Sequence, residues 1–343
     1  MHMRKRAVVF LGAGLLCCAL AAGCSAGGTA DGPSGTAAPQ AQEIDFKAAT
    51  FDTFVEDAAP MTSLRALTSS ADGAYLYAGY IKEGPKGVYK IDAATGEKLW
   101  HFQEEDFGYD KGVAVDSRGY VYAGNTIRAE EGAVRVYILN DADGSLEATI
   151  EEPIIGKVGV NGVDVLEKDG KTLLYVVTNY GPNRVYCYDV TDVQSPVLSD
   201  SFGIDGYVDL KAVTGNDDVE GSYLAVMDDG TVYLTAKTGA GSKGDAVLKL
   251  SADGRSAEKV ADVPEAYGIC VADGYMLVST YFDASSTVEV LKLSDYSTVA
   301  SIGNVGDNTF YSAVTVAGGK IYIADQGYRD GSRILVSNEI FGL

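Results

Sequence analysis

The sequence predicts an all-β chain, a six-bladed β-propeller of four-stranded antiparallel blades, and three observations carry that expectation. One phrase comes round six times: apolar strand, tight Gly turn, apolar strand. It reads LTSSADGAYLYAG (67–79), VAVDSRGYVYAGN (113–125), VDVLEKDGKTLLYVVTN (163–179), AVMDDGTVYLTA (225–236), CVADGYMLVSTY (270–281) and VTVAGGKIYIAD (314–325). The turn glycines Gly73, Gly119, Gly170, Gly230, Gly274 and Gly319 are spaced by 46, 51, 60, 44 and 45 residues. A strand-filled period of that size belongs to propeller blades. Glycine makes up 41 of 343 residues, well above the usual ~7%, as many short strands joined by turns require. No stretch after residue 24 keeps a 3.6-residue apolar period.

The chain begins with a separate signal. Arg4, Lys5 and Arg6 precede an uncharged apolar run, Ala7 to Ala22. That run is shorter than the ~20 residues of a membrane span and has the layout of a secretory signal. It closes on Leu20-Ala21-Ala22-Gly23-Cys24, which resembles a bacterial lipobox, with Ala21 where the pattern prefers Leu. The resemblance implies cleavage after residue 23 and acylation of Cys24, so that the protein is a membrane lipoprotein facing the extracytoplasmic side. Residues 24–42, SAGGTADGPSGTAAPQAQ after the cysteine, hold too little apolar surface to offset ordering entropy and read as a flexible tether. The propeller is expected over 43–343.

Within each repeat a third and fourth strand follow the first two. Third strands read GVYKIDA (87–93), AVRVYILN (133–140), RVYCYDV (184–190), AVLKLS (246–251), TVEVLKLS (287–294) and SRILVSN (332–338); fourth strands read KLWHF, SLEATI, PVLSDSF, SAEKVAD and STVASI. Asp/Asn-Gly turns such as DAATG, NDADG and SADG join them. The sixth repeat lacks a fourth strand because the chain ends at Leu343, while KAATFDTFVED (47–57) lacks a partner. That segment is expected to supply the missing strand and close the ring. The long third-to-fourth step holds an insertion near 204–221. It reads either as an insertion or as a degenerate strand pair, in which case there are seven blades.

Without the signal, the cysteines are Cys24, Cys187 and Cys270. The last two fall on strands of non-adjacent blades, too far apart for a disulfide, and read as small buried apolar residues. Loss of Arg4, Lys5 and Arg6 leaves 24 basic against 48 acidic residues, net −24. Such a surface repels nucleic acid and suits a soluble domain outside the cell. After removal of His2 with the signal, His101 is the single histidine. It lies on a predicted outer strand, which argues against a His base, a Ser-His-Asp triad or a His-ligated zinc.

VAVDSRGYVYAGN resembles the repeat core of NHL-type propellers, and GVYKIDAATGEKLWHF resembles once the repeat of quinoprotein-like propellers, in which a Trp ends the fourth strand. The NHL likeness spans 63–343 and implies fold, not function, since such propellers include binding proteins, lactonases and lyases. In this architecture the innermost strands line a channel, and the loops before them share one face with the loops after the second strands. The candidate ligand face there comprises Asp110, Lys111, Asn125, Asn161, Asn179 and Asp325, with Tyr80, Tyr180, Tyr281 and Tyr328 as candidate aromatic contacts; Tyr267 and Tyr311 lie on the same face. Asn125, Asn161, Asn179 and Asp325 are oxygen donors suited to one hard cation, Ca²⁺ or Mg²⁺. The resemblance to gluconolactonase-type propellers implies such a set, although their first-blade Glu is not evident. Asn and Asp equally serve as turn residues at strand ends. KTGAGSKGD (237–245) lacks the spacing of a phosphate loop, and NDADG and GNDD lack that of a Ca²⁺ loop. The leading expectation is a lipid-anchored ligand-binding or protein-interaction module with no catalytic residue. The alternative is a divalent-metal-dependent lactonase or esterase; a quinone-cofactor or assembly propeller is a weaker third.

Overall fold

The computed structural model describes residues 43–343 apart from 57–62, 82–85, 104–108, 127–131, 155–158, 180, 242, 282–284, 328–330 and 343, with backbone only at 109–110, 126, 132–134 and 152–154. The predicted signal, Cys24 and the tether lie outside the described residues. Residues 44–343 form one compact unit.

Six antiparallel blades follow one another in chain order. Their innermost strands are Leu64–Ser69, Tyr109–Val115, Gly159–Lys168, Glu220–Val226, Ala266–Ala272 and Tyr311–Ala317. Their second strands are Tyr75–Tyr80, Tyr120–Thr126, Lys171–Asn179, Val232–Lys237, Tyr275–Thr280 and Lys320–Asp325. The Asp/Gly turns between these strands work as expected. All six turn glycines have positive φ, between 69° and 95°. At Gly73 a side chain is excluded twice over, by φ +69° and by the Gly318 amide nitrogen, which would sit 2.6 Å from an added Cβ.

Phe51–Glu56 pairs antiparallel with Arg333–Glu339, from Phe51 opposite Ser337 to Glu56 opposite Arg333. The expected closure is therefore present: the segment before the first repeat is the fourth strand of blade six. Blade three is where the sequence was ambiguous. Its outer strand is split into Val197–Leu198 and Tyr207–Asp209, which pair with two ends of the same third strand, Arg184–Asp189. A short helix, Leu210–Thr214, follows, capped by the Asp209 carboxylate on the Ala212 N–H. The extra residues complete a fourth strand and lead into blade four, so the count is six blades. One bridge, Gly159 to Thr126, joins blades two and three into a single nine-stranded sheet.

Because side chains alternate across a strand, each blade has two apolar faces, and six clusters fill the six gaps between neighbours. Leu64, Leu76 and Tyr80 of blade one meet Ala313, Tyr322 and Ile334 of blade six; Tyr77 and Val88 meet Val113, Val121 and Leu139 of blade two. The repeated Tyr of the second strand bolts several of these gaps. Tyr77 donates to Asp141 Oδ1 of blade two (2.6 Å), joined by Lys90 Nζ to Asp141 (2.8 Å) and Trp100 Nε1 to the Asp141 carbonyl (2.8 Å). Tyr322 donates to the Ala93 carbonyl across the closing gap, and Tyr233 bonds Tyr296 of blade five. His101 is on an outer strand, exposed and stacked on Tyr89. Cys187 and Cys270 are free thiols on blades three and five. Cys187 is wholly buried as expected, whereas Cys270 keeps partial exposure because its strand borders the channel.

Candidate functional site

Every innermost strand has a register break near its start, where it enters from the face that carries the blade loops. The breaks fall at Leu64/Ala66, Asp110/Gly112, Val160/Gly162, Gly221/Leu224, Ala266/Ile269 and Tyr311/Ala313. A bulge leaves one residue outside the ladder and re-aims its side chain. The residues so released are Arg65, Lys111, Asn161, Tyr223 with Ser222, Tyr267 with Gly268, and Ser312. They form a layer at the mouth of the channel.

That layer is knitted together. The Arg65 guanidinium lies 4.5 Å from the Tyr281 ring centroid and donates to Tyr267 Oη at 3.1 Å. Tyr267 and Tyr281 stack at 4.6 Å, and Tyr223 is tilted against Tyr267 at 5.1 Å. Tyr223 Oη donates to the Arg65 carbonyl at 2.6 Å. Tyr223 belongs to blade four and Arg65 to blade one, so this bond spans the ring. Tyr281 Oη donates to Gln326, whose amide donates to Ser63 Oγ at 2.8 Å. On the other side Lys111 Nζ donates to Asn161 Oδ1 at 3.1 Å, and Asn161 Nδ2 to the Gly221 carbonyl at 3.3 Å.

The predicted residues therefore separate. Lys111 and Asn161 meet, both buried. Asp110 pairs through its backbone with Asn125, and its side chain lies outside the described residues, as do Tyr180 and Tyr328. Tyr80 is wholly buried and packs edge-on to Tyr89, because its strand phase turns it into the gap with blade six. Tyr311 likewise is core. Asp325 accepts from the Phe310 and Gly327 amides and pairs with Arg333 Nε at 2.9 Å, the work of a turn residue. Asn125 holds the same register place in blade two. It is fully buried, and neither of its side-chain polar atoms has a hydrogen-bond partner among the described residues; the same is true of Asn179 Oδ1.

Of the four predicted oxygen donors, Asn125 and Asn179 keep a side-chain oxygen without a partner among the described residues. Asp325 spends both oxygens on its own blade, and Asn161 turns its oxygen to an ammonium group. Among the described residues no three acidic, Cys or His side chains gather where they could hold a metal. Asn140 and Asp143 accept from the Ala142 and Ser145 amides, so NDADG is a turn.

Arg65 and Tyr223 escaped sequence reasoning because the bulge hides them from strand alternation. One signal was available: the released residues stand six to nine positions before each turn glycine.

Below the bulge layer a cavity of about 310 Å³ runs along the axis to the turn-side ends of the innermost strands, lined by all six blades. At one level five of the blades present Thr68, Asp164, Ala225, Cys270 and Thr315, the residues paired with the second-strand positions that face the next blade. Asp164 accepts from the Val165 and Val226 amides, both at 2.8 Å, and so ties blade three to blade four. Burial raises its pKa to about 6 against these two bonds. Burial likewise pushes the Cys270 thiol up to about 12. Ser69 Oγ donates to the Val316 carbonyl and touches Thr315 Oγ1 at 3.3 Å.

Compared with known protein families and with curated proteins, the chain matches none. The fold is a six-bladed β-propeller, an architecture consistent with a binding or interaction module that does not by itself assign a function.

Proposed function

We propose that the protein is an acyl-anchored, extracytoplasmic binding module that meets its ligand or partner protein at the loop face of the propeller. Cleavage before Cys24, acylation of that cysteine and the tether 24–42 would attach the propeller to a membrane surface. The observation that supports a binding role is the convergence of bulge residues from six blades on one mouth, with Arg65 laid against Tyr281 and Lys111 held by Asn161. A cation laid against aromatic rings, as Arg65 is, suits a ligand with acceptor groups and a planar or apolar face. No catalytic step is assigned to these residues.

Two measurements test the reading. In cells fed a clickable fatty acid, the protein is expected to take up label and fractionate with membranes, and Cys24→Ser to lose both; an unchanged Cys24→Ser protein sinks the anchor. The metal-dependent lactonase or esterase reading is separated by thermal unfolding with EDTA and then with millimolar Ca²⁺ or Mg²⁺. The midpoint is expected to stay in place. A stabilising cation at 100 times its dissociation constant would add about 2.7 kcal/mol, and such a shift would favour the hydrolase.

A further inference from the structure

The geometry points to the axial channel as a binding site for a small organic ammonium ion, with Asp164 as its counter-ion and the strand walls as the seat of its apolar part. This site lies below the loop-face mouth and shares Tyr223 with it.

Four observations carry the assignment. The channel has the volume of a small-ligand pocket, about 310 Å³. Asp164 is the one formally charged side chain among the described residues that line it. The rest of the wall mixes apolar side chains such as Leu67, Val113, Ile269 and Val314 with hydroxyls at Thr68, Ser69, Tyr223 and Thr315, so an apolar body and one polar end can both find partners. Access is asymmetric. The Tyr223 bond across the ring and the Arg65 guanidinium close the loop side with a cation. The turns nearest the axis on the other side and their flanks carry Asp72, Asp116, Glu167, Asp169, Asp228, Asp229 and Asp273 against Arg118, which pairs with Asp116, and Lys168, Lys171 and Lys320, a net negative end, and hydrogen bonds in their turns lower Asp72 and Asp229 below the ordinary carboxylate range. A field of that sign draws cations to the turn-side end.

The groups facing Asp164 bring no positive charge to it. Tyr175 stands opposite on the second strand, Tyr223 and the Val226 amide come from blade four, and Cys270 lies across the channel. Lys111, in the bulge layer, turns to Asn161, and Lys168 turns to the Asp229 carbonyl. A partly buried carboxylate with no cation beside it is raised in pKa, as Asp164 is; a bound ammonium would supply the missing charge. A hard metal ion would ask for six or more oxygens, which one carboxylate and a few hydroxyls do not provide.

The test is thermal unfolding of the full chain with millimolar n-butylammonium chloride, against sodium chloride at equal ionic strength and against n-butanol. Only butylammonium is expected to raise the midpoint at neutral pH. Below the Asp164 pKa its affinity should fall about tenfold per pH unit. Asp164→Asn should abolish the rise. Ala225→Leu, which narrows the channel and keeps the carboxylate, should reduce it and serves as the test if Asp164→Asn does not fold. An equal rise with sodium or butanol, an undiminished rise in either variant, or no rise in the wild type overturns the assignment.

Discussion

At the scale of single residues, Asp164 has the sharpest consequence. Its folded pKa of about 6 stands above the ordinary 3.8, so between those values the native state binds more protons than the unfolded chain. Stability from this group therefore falls as pH rises from about 4 to about 6, and the loss persists above 6. The two-unit displacement corresponds to about 3 kcal/mol at most. Urea unfolding across this window should show that downward slope in the wild type and its absence in Asp164→Asn; equal slopes would mean that the carboxylate is solvated. The slope is the readout, because Asn loses one of the two acceptor roles toward Val165 and Val226 and shifts absolute stability for that separate reason. Tyr223→Phe isolates the bond across the ring and should cost about 1 kcal/mol. Neither residue was legible in the sequence. Asp164 reads as an unremarkable polar position in an alternating strand, and only the closure of six blades makes it axial. Lys111 and Asn161 were legible because they begin a repeat, where a strand must come from the loops.

At the scale of strands and turns, the gaps between blades are held by contacts that repeat with the sequence. The Tyr at the centre of the second strand was plain in LYAG, VYAG, LYVV, VYLT and IYIA, but whether it reaches the next blade's turn, as Tyr77, Tyr233 and Tyr322 do, or bonds its own blade, as Tyr122 does with Asp116, depends on the angle between blades. Asp141 is such a target. It sits in a turn that the sequence shows as NDADG, and it receives Tyr77 and the buried Lys90. Asp141→Ala leaves Lys90, 6% exposed, without its carboxylate. Removing one partner of a largely buried pair costs about 3–5 kcal/mol; Asp141 is partly open to solvent, so roughly 2–3 kcal/mol is expected. Lys90→Met in the same background should recover part of that loss, and a variant at wild-type stability would reduce the staple to a surface contact. Blade three shows the limit of pattern reading. Its outer strand is too short and broken to show alternation, and the helix after it has five residues, less than two turns.

At the scale of the whole molecule, closure is a long-range event. The fourth strand of blade six comes from Phe51–Glu56, almost 300 residues before its partner, and loop-closure entropy must be met before that pairing contributes. Charge opposes the same step, since the domain carries about twice as many acidic as basic groups. What offsets these costs is a local apolar knot. Phe46 is 3% exposed and meets Tyr275 at 4.8 Å and Phe341 at 5.6 Å, edge-on in each case. Asn338 binds the Thr50 amide through Oδ1 and the Thr50 carbonyl through its own N–H. Phe46→Ala should cost about 3–5 kcal/mol by emptying that knot. Deleting residues through 56 should do more, because it also bares the edge of Arg333–Glu339 and invites pairing between molecules. A permutant that starts at Ser63 and joins Leu343 to Ile44 by a short Gly-Ser linker keeps every described contact of the closing strand. It should unfold cooperatively with a midpoint close to that of the parent, while the deletion aggregates or unfolds in a broad transition. If the deletion instead matches the permutant, the ring is held by its inter-blade clusters alone and the closing strand is only a cover for the last edge.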